Sequence, residues 1–348
     1  MNPRWAVTSL LVLGGAPCLC LAQTTPPPIR SESNVVLVPA LVKTKSGELV
    51  LGLSARDFIV EDDGVEQSVQ LDDSPDAGPI SVVLALQVGR TAALQLQGSQ
   101  PSSSAVGSKR DVPLSGLGTM LEAYVGEGKA AVAVVTFDSE VHLLQDFTED
   151  ILSVADRLRK VGPGDDGAAI LDAVLYSNRL LDLHPAGGRR VIILISESRD
   201  HGSHVVRLDN VVGQLTVSNT LIYSLSFSPA RSEFMRDAKG QNPETQINLM
   251  KPLVMAVNGL RKNVAGAVAE LTGGEYETFT NRQAFDTQMD TLSGDDHNRY
   301  LLSFQPTSPR PGPHTIRVRL RNAECACLVT TRNMYWAIAT QEKSETGR

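Results

Sequence analysis

Ile80–Leu86 (ISVVLAL) is the stretch on which the fold turns. It is apolar at nearly every position and rich in β-branched residues, where a strand with one wet face would alternate. A continuous apolar run of this length suits a strand covered on both faces, as parallel sheets require. Three more runs read the same way: Ala130–Phe137 (AAVAVVTF), Val191–Ile195 (VIILI) and Leu221–Phe227 (LIYSLSF). Helical patterns lie between them. Ile170, Val174 and Leu181 form a stripe along Ala168–Leu183, and Leu152, Ala155 and Leu158 form another, with Thr148 as its expected cap. Val205–Leu215 is expected to be a helix capped by Ser203. Met250–Leu271 reads as one long helix stopped by Thr272-Gly273-Gly274. This alternation predicts an α/β domain over 79–296 with a doubly wound, mostly parallel, Rossmann-like sheet.

The flanks have a different texture. Residues 34–72 give short β-rich stretches broken by Lys45-Ser46-Gly47 and Asp62-Asp63-Gly64, both turn signals. Near the other end, Tyr300–Gln305 (YLLSFQ) and Thr315–Leu320 (TIRVRL) alternate as half-buried strands. Two β-rich segments on either side of an α/β insert most simply pair with each other. A small β-sandwich built from 34–78 and 297–337 is therefore expected, with 338–348 as a tail.

Composition narrows the function. The 348 residues carry 32 Lys and Arg against 39 Asp and Glu, a net charge of −7, with 42% apolar and 5% aromatic residues. A mildly acidic chain argues against nucleic acid as a partner, since phosphate binding runs on clustered Lys and Arg. Arg4 followed by the apolar Ala6–Ala16 and by Cys20-Leu21-Ala22 reads as an export signal over 1–22. Pro26-Pro27-Pro28 stiffens a linker over 23–33. Pro17 before Cys18 and Leu19 before Cys20 do not suit lipidation, and no other window is apolar enough for a stable transmembrane anchor. The expected location is secreted or periplasmic. Removing the signal leaves Cys325 and Cys327, which read as two small buried thiols, since a bridge across one intervening residue is strained.

Asp57-Phe58, Glu61-Asp62-Asp63-Gly64, the Ile80–Leu86 strand, Asp146-Phe147-Thr148, Leu171-Asp172-Ala173, Thr272-Gly273-Gly274 and Tyr300-Leu301-Leu302 occur in that order. The set resembles the von Willebrand factor A-related proteins of Acidobacteria and their relatives, over roughly 34–336. The resemblance implies a von Willebrand A-type domain, which commonly carries a metal-ion-dependent adhesion site. That site uses D-x-S-x-S after the first strand, a later Thr and an Asp after the fourth strand, so that hard oxygens surround a divalent cation. Here the first segment is Gln87-Val88-Gly89-Arg90-Thr91, the Thr position reads Ala168, and the Asp position reads Glu197. An amide replaces the anchoring carboxylate, Gly89 has no side chain, and only Thr91 keeps a hydroxyl. Arg90 adds a fixed positive charge. The adhesion site therefore reads as degenerate, and no cofactor is expected, Mg²⁺ and other divalent cations included. Arg90 is either a built-in cation paired with Glu197 or with a partner's acid, or an exposed side chain. Asp165, Asp166, Glu197 and Asp200 read as solvated carboxylates or as a different cation site.

Catalytic patterns are lacking. No G-x-S-x-G occurs. Gly126-Glu127-Gly128-Lys129 has Ala123 and Ala130 where a phosphate loop needs Gly and Ser or Thr, and Gly116-Leu117-Gly118 lacks a third Gly. Asp200-His201-Gly202-Ser203-His204 has no third zinc ligand at a recognisable spacing and reads as a solvated loop. The expectation is a non-enzymatic module that binds another protein through Val88–Asp111, Ser196–Ser203 and Ser228–Asn248, the loops that leave the carboxyl ends of the strands. A rival reading is an envelope assembly factor working through its sandwich, and a weaker third is a hydrolase built on the Asp200 cluster.

Overall fold

Two four-stranded antiparallel sheets are woven from both ends of the chain. The computed structural model describes residues 35–72, 79–89, 117, 121–122, 130–162, 164–184, 188–204, 207–227, 251–307, 310–322 and 326–337. The flanking strands are β1 (Val36–Lys43), β2 (Phe58–Asp62), β3 (Val65–Gln67) and β4 (Val69–Leu71), followed after the α/β segment by β11 (Tyr300–Phe304), β12 (Gly312–Leu320), β13 (Leu328–Thr331) and β14 (Met334–Ala337). One sheet runs β13-β1-β11-β4 and the other β14-β12-β2-β3, so each draws on both flanks. Val38 and Ala40 of β1, Phe58 and Val60 of β2, Leu302 of β11 and Tyr335 of β14 share one buried cluster between the sheets.

Between the flanks lie β5 (Ile80–Gln87), β6 (Ala130–Phe137), β7 (Val141–Thr148), β8 (Arg189–Ser196), β9 (Thr220–Phe227) and β10 (Tyr276–Phe279). They form one sheet in the order β10-β9-β8-β5-β6-β7, parallel except for the edge strand β7. All residues of β5 and β9 are buried, which is why neither strand carries a charged residue. The pleat splits β5 between two cores. Val82, Leu84 and Leu86 face Val154 and Leu158 of α1 (Ile151–Leu158) and Phe285 and Met289 of the last helix, while Val83 and Ala85 face α2 (Ile170–Leu183) and α3 (Leu208–Val217). The remaining helices are α4 (Lys251–Lys262), α5 (Val264–Thr272) and α6 (Arg282–His297). With the sheet order reversing at β5, β8 and β6 lie on either side of it. Such a switch point opens a crevice at the carboxyl ends of the strands.

Buried charges tie the sandwich to the α/β sheet. The fully buried Tyr223 of β9 donates its hydroxyl to Asp296 Oδ1 at 2.7 Å. Arg299 donates through Nε to Tyr223 Oη at 2.8 Å, through Nη1 to the Gly273 carbonyl at 2.7 Å, and through Nη2 to Glu275 at 3.2 Å. Lys43 of β1 reaches across to Glu275 and Asp295. Arg332, between β13 and β14, donates to the carbonyls of Met334 and of Thr216 in the last turn of α3. Burial pulls its guanidinium down to about 10, and the negative end of α3 supplies compensation.

Several local expectations are corrected. Asp150, not Thr148, caps α1, accepting from Ser153 N at 3.1 Å. The expected single helix over Met250–Leu271 is two, because Asn263 breaks it and caps α5 by accepting from Gly266 N at 2.9 Å. The helix expected at Val205–Leu215 runs Leu208–Val217. Ser203 does not cap it and serves the start of α2, accepting from Asp172 N at 3.2 Å. Cys327 is disulfide-bonded, so the two-thiol expectation fails, and its partner is a cysteine outside the described residues. The export signal, the linker, Arg90, Thr91, most of Val88–Asp111, Ser228–Asn248 and the tail also lie outside the described residues.

Replacing Arg299 by Met is expected to cost about 3–5 kcal/mol in a urea titration, because Glu275 and Tyr223 lose a buried cation. An unchanged midpoint and slope would show that this network carries no stability.

Candidate functional site

Gln87 is the last residue of β5, and it is 1% exposed. Leu86 stands opposite Ile195 in the parallel β5–β8 register, so the chain leaving β8 delivers Glu197 beside Gln87. The two residues bond reciprocally. Gln87 Nε2 donates to Glu197 Oε1 at 2.7 Å, and Gln87 Oε1 accepts from the Glu197 backbone N–H at 2.9 Å. The second Nε2 hydrogen goes to the Gly167 carbonyl at 3.1 Å. Glu197 Oε1 lies a further 3.0 Å from His201 Nε2. A neutral amide fits here because it carries both a donor and an acceptor, where a carboxylate would meet Glu197 as a like charge.

The neighbouring loops lock onto this pair. Ala168 and His201 exchange backbone hydrogen bonds, Ala168 N to His201 O at 2.8 Å and the reverse at 3.0 Å. Gly164 N donates to Val88 O at 2.7 Å. A Cβ on Gly89 would sit 2.6 Å from the Asp165 carbonyl, so this position has no room for a side chain. Asp165 Oδ1 accepts from Gly167 N at 2.7 Å and Ser139 N at 3.0 Å, and these bonds, Gly167's first, hold its carboxyl below the usual range. Asp200 Oδ2 accepts from Leu171 N at 2.8 Å and Ser203 Oγ at 2.6 Å, at the N-terminus of α2. The Asp200–His204 loop leaves His201 and His204 exposed, and the bonds of the Asp200 carboxylate order it.

Of the residues singled out in the sequence, Gln87, Gly89, Ala168 and Glu197 are brought together, while Arg90 and Thr91 lie outside the described residues. Glu197 has two side-chain partners that none of the alternatives for Arg90 named, Gln87 and His201. His201 stood in a cluster weighed as a zinc site, a solvated loop or a hydrolase site, and nothing local showed that it turns to Glu197. Gly167 contributes through its carbonyl, which no side-chain pattern announces.

A hard divalent cation asks for about six oxygens with net negative charge among them. At the switch point the described residues offer one carboxylate, whose Oε1 already takes two hydrogen bonds, and an amide oxygen held by a backbone N–H. This donor set does not fit such an ion.

No protein-family model matches the chain, and no curated protein matches it. Among solved structures it is similar to the conserved hypothetical protein BatB from Bacteroides thetaiotaomicron, at 16% identity over 63% of this chain and 98% of that one, with a TM-score of 0.40. It is similar to the PilB minor pilin from Streptococcus sanguinis at 13% identity, over 65% and 63% of the two chains, with a TM-score of 0.42. Proximal thread matrix protein 1 from the mussel byssus, solved with a zinc-occupied MIDAS motif, gives 13% identity over 66% and 48%, with a TM-score of 0.40.

Substituting Gln87 by Leu leaves the Glu197 N–H and the Gly167 carbonyl without their partner. The expected cost is about 1–3 kcal/mol by chemical denaturation, and a parent-like stability would show that the pair is incidental.

Proposed function

We propose that this chain is an extracytoplasmic, non-enzymatic protein-binding module. A von Willebrand A-type domain over 79–296 recognises another protein at its carboxyl-end crest without a bridging metal, and the sandwich of 34–78 and 297–337 carries it. The observation behind this reading is the reciprocal Gln87–Glu197 bonding, which consumes at the switch point the groups a bridging cation would use. Recognition then falls to shape and polar contacts of the crest loops, with Arg90 as a fixed cation toward a partner's acid. Beside the crest an open groove of about 550 Å³ is lined by polar residues such as Asp172, Arg179 and His204 together with the apolar Val141 and Leu175, a mixed surface of the kind another protein can meet. Commitment of the Asp200 carboxylate to Leu171 N and Ser203 argues against a hydrolase built on that cluster. The disulfide at Cys327 suits an oxidising compartment. Among the described residues, no helix is long and apolar enough to cross a membrane.

A second reading, an envelope assembly factor working through the sandwich, draws on Leu51, Val65 and Leu328, which are about 60% exposed there. Deleting 88–111 separates the two: the crest reading loses its partner in a binding assay, and the sandwich reading keeps it. Arg90→Ala is expected to weaken partner binding, and unchanged affinity would remove Arg90 from the interface. In a thermal melt, Mg²⁺ at millimolar concentration is expected to shift the midpoint no more than an equal ionic strength of NaCl does. A specific Mg²⁺ stabilisation abolished by Glu197→Gln would overturn the metal-independent reading.

A further inference from the structure

Away from the crest, three donor groups converge in the sandwich. Asp62 ends β2, and the Asp63-Gly64 turn into β3 has both residues at positive φ, 48° and 83°, as two-residue hairpins favour. That turn brings two consecutive carboxylates, which a straight strand would send to opposite faces, toward the same side chain. His314 of β12 points its Nδ1 at them, 3.2 Å from Asp62 Oδ1 and 3.1 Å from Asp63 Oδ2. The three ligand atoms all lie within 4.8 Å of one another, and His314 and Asp62 are 3% and 7% exposed.

The hydrogen bonds around the cluster settle which atoms face inward. His314 Nε2 lies 2.7 Å from the Arg310 carbonyl, an acceptor, so Nε2 carries a proton and donates. Asp62 Oδ2 accepts from the Tyr335 hydroxyl at 3.0 Å. Asp63 Oδ1 accepts from Thr315 N and Oγ1, both at 2.9 Å. Each ligand group is therefore oriented by an outer partner on its far atom, the arrangement that metal-bound histidines and carboxylates show. What remains inside is Nδ1 between two carboxylate oxygens, a position that requires a cation. A single N–H is here shared over 3.1 and 3.2 Å between two carboxylates. The two nitrogen–oxygen separations, 3.1 and 3.2 Å, are close to the roughly 3.3–3.5 Å edges of a tetrahedron with bonds of about 2.0–2.1 Å.

We propose that Asp62, Asp63 and His314 form a binding site for a borderline transition-metal ion of the zinc class, with water in the fourth position, that staples the β2–β3 hairpin to β12. Arg310 Nη2 donates to Asp63 Oδ2 at 2.7 Å and competes there for the same oxygen; with 57% of its side chain exposed, it can swing into solvent. This site is independent of the crest and of the function proposed for it.

The test is calorimetric titration of the EDTA-treated, dialysed full chain with ZnCl₂, with Co²⁺ absorbance as a probe of coordination geometry. The expected result is one Zn²⁺ per chain, tetrahedral Co²⁺ bands displaced by Zn²⁺, and a melting midpoint raised by at least about 3 °C at hundredfold excess. Asp63→Asn and His314→Gln should each weaken Zn²⁺ at least about tenfold, and Arg310→Gln should tighten it. Glu197→Gln and His201→Ala should leave it unchanged. Should His314→Gln fail to fold, Asp63→Asn and Arg310→Gln decide the matter alone. Binding below one equivalent, or equal affinity in Asp63→Asn, overturns the proposal and leaves an imidazolium clasp. Loss of the Zn²⁺ response in Glu197→Gln overturns it as well, placing the metal at the crest.

Discussion

Gln87 and Glu197 hold each other at the place where the strand order of the sheet reverses, and the crest is organised around that contact. Because the amide serves as donor and acceptor at once, it satisfies a backbone N–H, a carboxylate and the Gly167 carbonyl from one buried side chain. Each of these bonds fixes a different loop. Glu197 brings the segment after β8, Gly167 the segment before α2, and the His201 contact closes the circle through Ala168. The energetic logic is that of a small polar network in a poorly solvated place, where completeness matters more than the strength of any one bond. It also explains why neighbouring positions carry so little side chain. Gly89 is pressed against the Asp165 carbonyl, and Ala168 is wholly buried.

The lower end of the sheet is built on a different principle. There the connection to the sandwich is ionic and buried, through Lys43, Glu275, Asp295, Asp296, Arg299 and Tyr223, with Arg332 capping α3. Networks of this kind contribute little net stability over an apolar junction but punish the loss of any member. Their consequence is a fixed relation between β1, β9 and α6. The sheet that carries the crest is thus held on a fixed support.

The sheet was legible in the sequence because double burial leaves an unbroken apolar run in Val191–Ile195 and uncharged, largely apolar ones in Ile80–Leu86 and Leu221–Phe227. The pairing of the flanks was legible from composition and order. The edge strand β7 was not, because Val141–Thr148 is half exposed and carries neither a clean alternation nor an apolar run. The break at Asn263 was hidden in a helical stripe that continues on both sides, and only the capping bond reveals it. At the crest, the identities of Gln87, Gly89, Ala168 and Glu197 could be read, but their mutual bonding could not, since it joins residues 110 apart in sequence. The Asp63 turn was legible as a turn. Its meeting with His314, 251 residues away, depends on β12 pairing with β2 and has no local signature.

The proposed metal-independent crest requires that the switch point be closed by side chains and not by an ion. The most direct measurement is the anomalous scattering of crystals grown in high Mn²⁺, read at the position between Gln87 and Glu197. The prediction is no peak within bonding distance of either side chain, with the amide still directed at the carboxylate. A well-ordered ion coordinated by Glu197, with the Gln87 side chain rotated away, would contradict it.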